Sequence, residues 1–162
     1  MRVEHTGHAS CLSPWVLPVP QAADRSAAAS ESPVAAALGR CRPLFRRSVL
    51  VVAPAEGGGW EAVRFARDQG ARVTALCPAE QATEARAAGA DVILDPARTD
   101  PTWYRGAWSV IVDPAGGIGF RRAMASLAPG GVYVTSSARP SDRARAVLAG
   151  LSGGPRLLRL RE

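Results

Sequence analysis

The sequence predicts an α/β fold, a doubly wound parallel sheet of about six strands in the order 3-2-1-4-5-6. Three observations carry this. Short unbroken apolar runs alternate with segments of helical period from residue 48 onward. Nearly every helical segment stops at a glycine, as helices that end in a left-handed cap do. A cluster, Gly57-Gly58-Gly59, joins the first apolar run to the first of those helices. Unbroken runs suit strands covered on both faces, and right-handed crossovers then fix the strand order.

Residues 1–47 stand apart from this rhythm, so the division expected is a leading segment 1–47 and an α/β domain 48–162. Within the leader, Trp15-Val16-Leu17-Pro18-Val19-Pro20 reads as extended, because each proline biases its predecessor away from the helix. Ser26 to Leu38 is helix-permissive, with Pro33 opening a helix at its first turn. Ser48 to Ala53 is the first strand, and Trp60 to Gln69 a helix with Ala62, Val63 and Ala66 on one face. Arg72 to Cys77, Asp91 to Asp95 and Trp108 to Asp113 are strands, with a helix over Glu80 to Ala88 between the first two. Phe120, Ala123, Met124 and Leu127 fall at helical spacing before Pro129-Gly130-Gly131, and Val132 to Ser136 is the next strand. Ser141 can cap a helix bearing Ala144, Val147, Leu148 and Leu151 on one face, and Arg156 to Leu160 is a final strand.

A chain of 162 residues with 47% apolar composition can build one real core. No apolar run approaches the ~20 residues of a membrane helix, and Met1-Arg2-Val3-Glu4-His5 opens no leader, so a cytoplasmic protein is expected. Cys11, Cys41 and Cys77 have no zinc-type spacing, so reduced thiols and no metal site are expected. All 20 basic residues are arginine and the net charge is +6, but the arginines are dispersed, so no nucleic-acid partner is expected.

The glycine cluster lies where a Rossmann loop turns tightly and offers backbone N–H groups to a pyrophosphate at a helix start. Val49-Leu50-Val51-Val52-Ala53-Pro54-Ala55-Glu56-Gly57-Gly58-Gly59 resembles the AxxGxxG loop of quinone oxidoreductases. These are zinc-independent medium-chain dehydrogenases/reductases, related to the enoyl reductases of polyketide synthases. Further resemblances follow in order: Gly70-Ala71-Arg72-Val73, Ala88-Gly89-Ala90-Asp91, Asp113-Pro114-Ala115-Gly116-Gly117 and Leu127-Ala128-Pro129-Gly130-Gly131. Upstream, Gly7-His8-Ala9 through Leu17-Pro18-Val19-Pro20 resembles the exit of the family's catalytic domain. The resemblance implies an NAD(P)H site at Ala53, Gly57, Gly58 and Gly59, and a homodimer through the edge strand Arg156–Leu160. It also implies a separate substrate domain, of which only that exit segment is recognised.

The sequence departs from the family where the cofactor is held. Glu56 replaces a glycine beside the pyrophosphate; a like charge at ~4 Å costs ~1 kcal/mol in water and ~4 kcal/mol at intermediate dielectric. Pro54 removes an N–H from the same turn. Leu76-Cys77-Pro78 ends the second strand where NAD-preferring members place a carboxylate. Gln81 and Pro96 stand where NADP-preferring members carry lysine and tyrosine, and Ser137 replaces a glycine beside the nicotinamide.

Two functions are therefore open. In the first, the domain has lost NAD(P)H chemistry and is a cofactor-independent enzyme of cyclase, isomerase or lyase type in secondary metabolism, or a binding partner. In the second, it is an oxidoreductase, or half of one, that still binds NADP(H) weakly. Glu56, Asp113 and Ser137 are the catalytic candidates, because polar groups in an apolar cleft are what proton transfer needs. Their bland alternatives are an exposed loop carboxylate, a turn-capping aspartate and a steric substitution. The partner expected is a small molecule in the ancestral cofactor cleft.

Overall fold

The structure, a computed structural model, describes residues 32–41, 43–52, 55, 58–137, 140–142, 146 and 154–160. Its sheet has six strands, all paired in parallel, in the order β3-β2-β1-β4-β5-β6. The strands are β1 (Ser48–Val52), β2 (Arg72–Leu76), β3 (Val92–Leu94), β4 (Trp108–Val112), β5 (Leu127–Thr135) and β6 (Arg156–Arg159). The helices are α1 (Pro33–Gly39), α2 (Gly59–Asp68), α3 (Ala82–Ala88) and α4 (Phe120–Ala123). The order of strands reverses between β1 and β4, and the C-terminal strand ends at such a crevice are where open α/β sheets take ligands.

Alternation along β1 builds the two cores. Val49 and Val51 pack with α1 and α2, through Val34, Leu38, Ala62, Val63 and Ala66. Leu50 and Val52 pack on the opposite face with Trp108, Phe120 and Ala123. Each such buried Val or Leu contributes about 1.5–3 kcal/mol relative to exposure. Pro33 occupies the first turn of α1, where its missing N–H costs nothing. Val34, Leu38, Cys41 and Leu44 place this part of the leader inside the core of the sheet domain. Cys41 and Cys77 are buried free thiols.

Helix α2 has Glu61 in its first turn and Arg67 in its last, the arrangement that suits the helix dipole. Arg67 pairs with Asp91, and the same carboxylate accepts the Val73 N–H at 2.8 Å. One surface ion pair adds little by itself, but this one joins α2 to the edge of β2 and β3.

Two expectations differ from what is observed. The helical spacing from Phe120 extends to Leu127, but α4 ends at Ala123 and Leu127 already opens β5. Trp108 lies opposite Leu127 while Val110 lies opposite Val132, so β5 carries extra residues that hump outward at the exposed Pro129 and Gly130. Such a bulge keeps both ends of the strand paired while its middle leaves the ladder. Residues 140–142 are helical, so Ser141 lies within the helix rather than before it. Ala144, Val147, Leu148 and Leu151 lie outside the described residues.

Candidate functional site

The site lies beyond the C-terminal ends of β4 and β5. Asp113 follows β4 and its N–H donates to Val134 O at 2.8 Å, so the strand pairing continues into it. The side chain is 1% exposed. Its carboxylate accepts Gly117 N–H at 2.9 Å on Oδ1, and Ile118 N–H at 2.8 Å and Gly119 N–H at 3.4 Å on Oδ2. Tyr133, on β5, donates its phenol to Oδ2 at 2.6 Å. A buried carboxylate is tolerated when its oxygens are supplied with donors in this way. The loop from Asp113 to Gly119 is thus curled around one side chain, and Tyr133 locks it to the sheet. Burial, then the hydrogen bond to Asp113, pushes the Tyr133 phenol far above its ordinary value, so it stays a protonated donor.

Above this loop is a cavity of about 450 Å³. Gly116, Gly117 and Ile118 form one wall, and Thr135, Ser137 and Ser141 bring hydroxyls to the other. Arg121, Arg122 and Asp142 also line it. Thr135 is buried, and its Oγ1 accepts the Ser137 N–H at 3.1 Å. The Ser137 Cβ is 2.9 Å from where a Cβ on Gly116 would stand, so only glycine fits there at its φ of +77°. Arg122 Nη2 donates to Asp100 Oδ2 at 2.6 Å. Hydrogen bonds from Thr102, then Arg122, hold the Asp100 carboxyl below its ordinary range.

Asp113 and Ser137 are therefore brought to one cavity, Asp113 beneath it and Ser137 on its wall. Ala53, Glu56 and Gly57 lie outside the described residues. Gly58 caps α2 with φ +80°, and Val34 of α1 lies 3.2 Å from the position of a Cβ on it. Gly59 is the buried first residue of α2. Helix N-termini in general offer free N–H groups to anions. Toward the adenosine end of a dinucleotide the described residues do not fit. Cys77 is fully buried after β2, Pro78 has no N–H, and Gln81 turns its Oε1 inward without a partner. Asp95, at the end of β3, accepts the Ala97 N–H at 2.9 Å and lies 3.9 Å from the Arg98 guanidinium.

Tyr133, Thr135 and the two arginines are site residues that the motifs did not single out. A usable signal was present for Tyr133. It is a phenol inside the apolar run Val132-Tyr133-Val134, and a buried phenol needs a polar partner. Among the described residues no group of three or more His, Cys, Asp or Glu can hold a metal, and no helix is long and apolar enough to cross a membrane.

Comparison with solved structures agrees with this fold. A thermostable alcohol dehydrogenase from Pyrobaculum aerophilum matches at TM-score 0.63 and 25% identity, over 78% of this chain and 37% of that one. The chain has the nucleotide-binding-type fold of the medium-chain dehydrogenase/reductase superfamily. A quinone oxidoreductase from Coxiella burnetii shares the fold at TM-score 0.66 and 19% identity, over 82% of this chain and 41% of that one. A mycobacterial protein complexed with NADPH matches at TM-score 0.56 and 26% identity, over 79% and 44%. This medium-chain-type domain thus spans about two fifths of the length of the structures it matches. No protein-family model and no curated protein matches the sequence.

Proposed function

We propose that this domain binds a small molecule in the β4–β5 cavity and works without a nicotinamide hydride. It is either a cofactor-independent enzyme of cyclase, isomerase or lyase type or the ligand-binding partner of another protein. The observation that carries this is the end of β2, where Cys77 is buried and Pro78 follows. A dinucleotide anchored there would meet no carboxylate or cation supplied by β2 itself, and Asp95 at the end of the neighbouring β3 is turned to the Ala97 N–H and to Arg98. The cavity beyond β4 and β5 is within the ~300–1,000 Å³ range of ligand sites and has convergent hydroxyls and guanidiniums.

In this reading Asp113 is a positioning residue. Its oxygens are committed to Gly117, Ile118, Gly119 and Tyr133, and it shapes the cavity floor. Ser137 presents the hydroxyl at the cavity wall, and Glu56 is the candidate general acid or base. The substrate is a secondary metabolite of polyketide type, as the enoyl reductase resemblance suggests, and the setting is the cytoplasm.

One observation favours the second reading, an oxidoreductase half that holds NADP(H) weakly. Gly58 and Gly59 keep a helix start suited to a phosphate. Calorimetric titration of the full chain with NADPH and NADH separates the two. The expected result is no binding up to millimolar cofactor. Micromolar binding of either nucleotide would overturn the cofactor-independent reading.

A further inference from the structure

We propose that the β4–β5 cavity selects an organic anion, a small carboxylate or phosphate ester on a short apolar chain, held by Arg121. This rests on the reading that the cavity takes a small molecule, and it adds that molecule's charge.

The buried acid under the cavity does not oppose an anion. The four hydrogen bonds received by Asp113 come from the loop and from Tyr133, so its charge is compensated from within the fold. The cationic lining is not neutralised in the same way. Arg122 is tied to Asp100, whereas Arg121 forms no ion pair among the described residues and is exposed at the rim. Asp142, the acidic member of the lining, is already engaged. A guanidinium fork matches the two oxygens of a carboxylate or phosphate, and a neutral group gains nothing comparable. Ser137 and Ser141 add hydroxyl donors, while Ile118 and Phe120 supply apolar surface for a short chain. The net charge of +6 adds a field of the same sign.

The test uses hexanoate, hexyl phosphate and the neutral hexanamide, titrated into the full chain by calorimetry and followed by ligand-observed NMR. At least one anion is expected to bind, with hexanamide at least about tenfold weaker. Which anion binds decides between a carboxylate and a phosphate ester. Arg121→Gln should lower the anion affinity about tenfold while leaving the melting temperature unchanged. Equal binding of hexanamide and the anions, an unchanged affinity in Arg121→Gln, or binding of none of the three overturns the proposal. The preceding reading fails separately. Displacement of a bound anion by micromolar NADPH would remove cofactor independence while leaving the anion preference standing. Equal binding of all three probes, with no NADPH binding, would do the reverse.

Discussion

At the scale of the residue, Asp113 concentrates more structural consequence than any other polar side chain described. Replacing its carboxylate by an amide keeps the shape but turns an NH₂ toward groups that are all donors. Asp113→Asn is therefore expected to cost about 2–3 kcal/mol, a fall in melting temperature of roughly 5–10 °C for a chain of this size. A melting temperature within a degree or two of the parent would mean that the carboxylate does not hold the loop. Titration gives a second check. Burial pushes the Cys41 thiol from its ordinary 9.0 up to about 11, and burial with Asp113 raises Tyr133 above its ordinary 10.0. Both groups are neutral when protonated and have raised values in the fold. Their contribution is complete below pH 9 and is lost as the pH climbs through the raised values. Stability should be flat up to pH 9 and then decline. Cys41→Ala should reduce the decline between pH 9 and about 11 and leave the parts from Cys77, whose thiol burial also raises, and from Tyr133 above pH 10. Denaturant melts across this range measure it, and an unchanged slope in Cys41→Ala would refute the assignment.

Among the elements, those with an unambiguous local signal were legible from the sequence. The runs Val49-Leu50-Val51-Val52 and Val110-Ile111-Val112 are too apolar for anything but covered strands, and the sheet order follows from their alternation with helices. The start of β5 was not legible, because Leu127 satisfies a helical spacing and a strand end equally well. Only its pairing with Trp108 across the sheet decides, and a long-range pair leaves no mark on a local window. The site divides in the same way. Asp113 and Ser137 could be found from their places after two strands, whereas the bond from Tyr133 to Asp113 spans twenty residues and needs the folded sheet. The turn from α1 into β1 holds a further test. Arg46 has φ +58°, the only positive φ outside glycine among the described residues. Its N–H donates to Gly70 O at 2.8 Å, which holds the turn against the end of α2. A non-glycine residue in this region costs about 1–2 kcal/mol, and glycine's greater freedom in the unfolded chain returns part of that. Arg46→Gly is expected to stabilise by about 0.5–1 kcal/mol, and a lower melting temperature would show that the turn is not strained.

At the scale of the whole molecule, the open question is what covers the sheet edges. β3 and β6 are the two edge strands, and β3 is only three residues long. β6 offers the half-buried Leu157 and Leu158 between the exposed Arg156 and Arg159. An edge with unpaired backbone groups and apolar side chains invites a second copy, and edge charges oppose it. We expect a homodimer through Arg156–Leu160, and its chemistry fixes how it should behave. Because Leu157 and Arg159 turn their backbone groups to the free edge, a two-fold antiparallel pairing is centred on Leu158; it sets Leu157 opposite the partner's Arg159 and leaves the two Arg159 side chains diagonal to each other. Like charges within reach across a pair are destabilising, and salt screens them. Dimerisation should therefore strengthen between about 50 mM and about 500 mM salt, the reverse of an interface held by ion pairs. Leu160 N–H donates inward to Thr135 O at 2.8 Å, so by the period of two the Arg159 N–H faces the free edge. Arg159→Pro removes that outward donor and spares the bonds to β5. Light scattering after size exclusion should find a dimer for the parent and a monomer for Arg159→Pro, while Val92→Pro on the opposite edge leaves the dimer intact. A parent chain that stays monomeric at both salt concentrations would remove β6 as an interface. The two arginines would then be read as guards that keep this edge single.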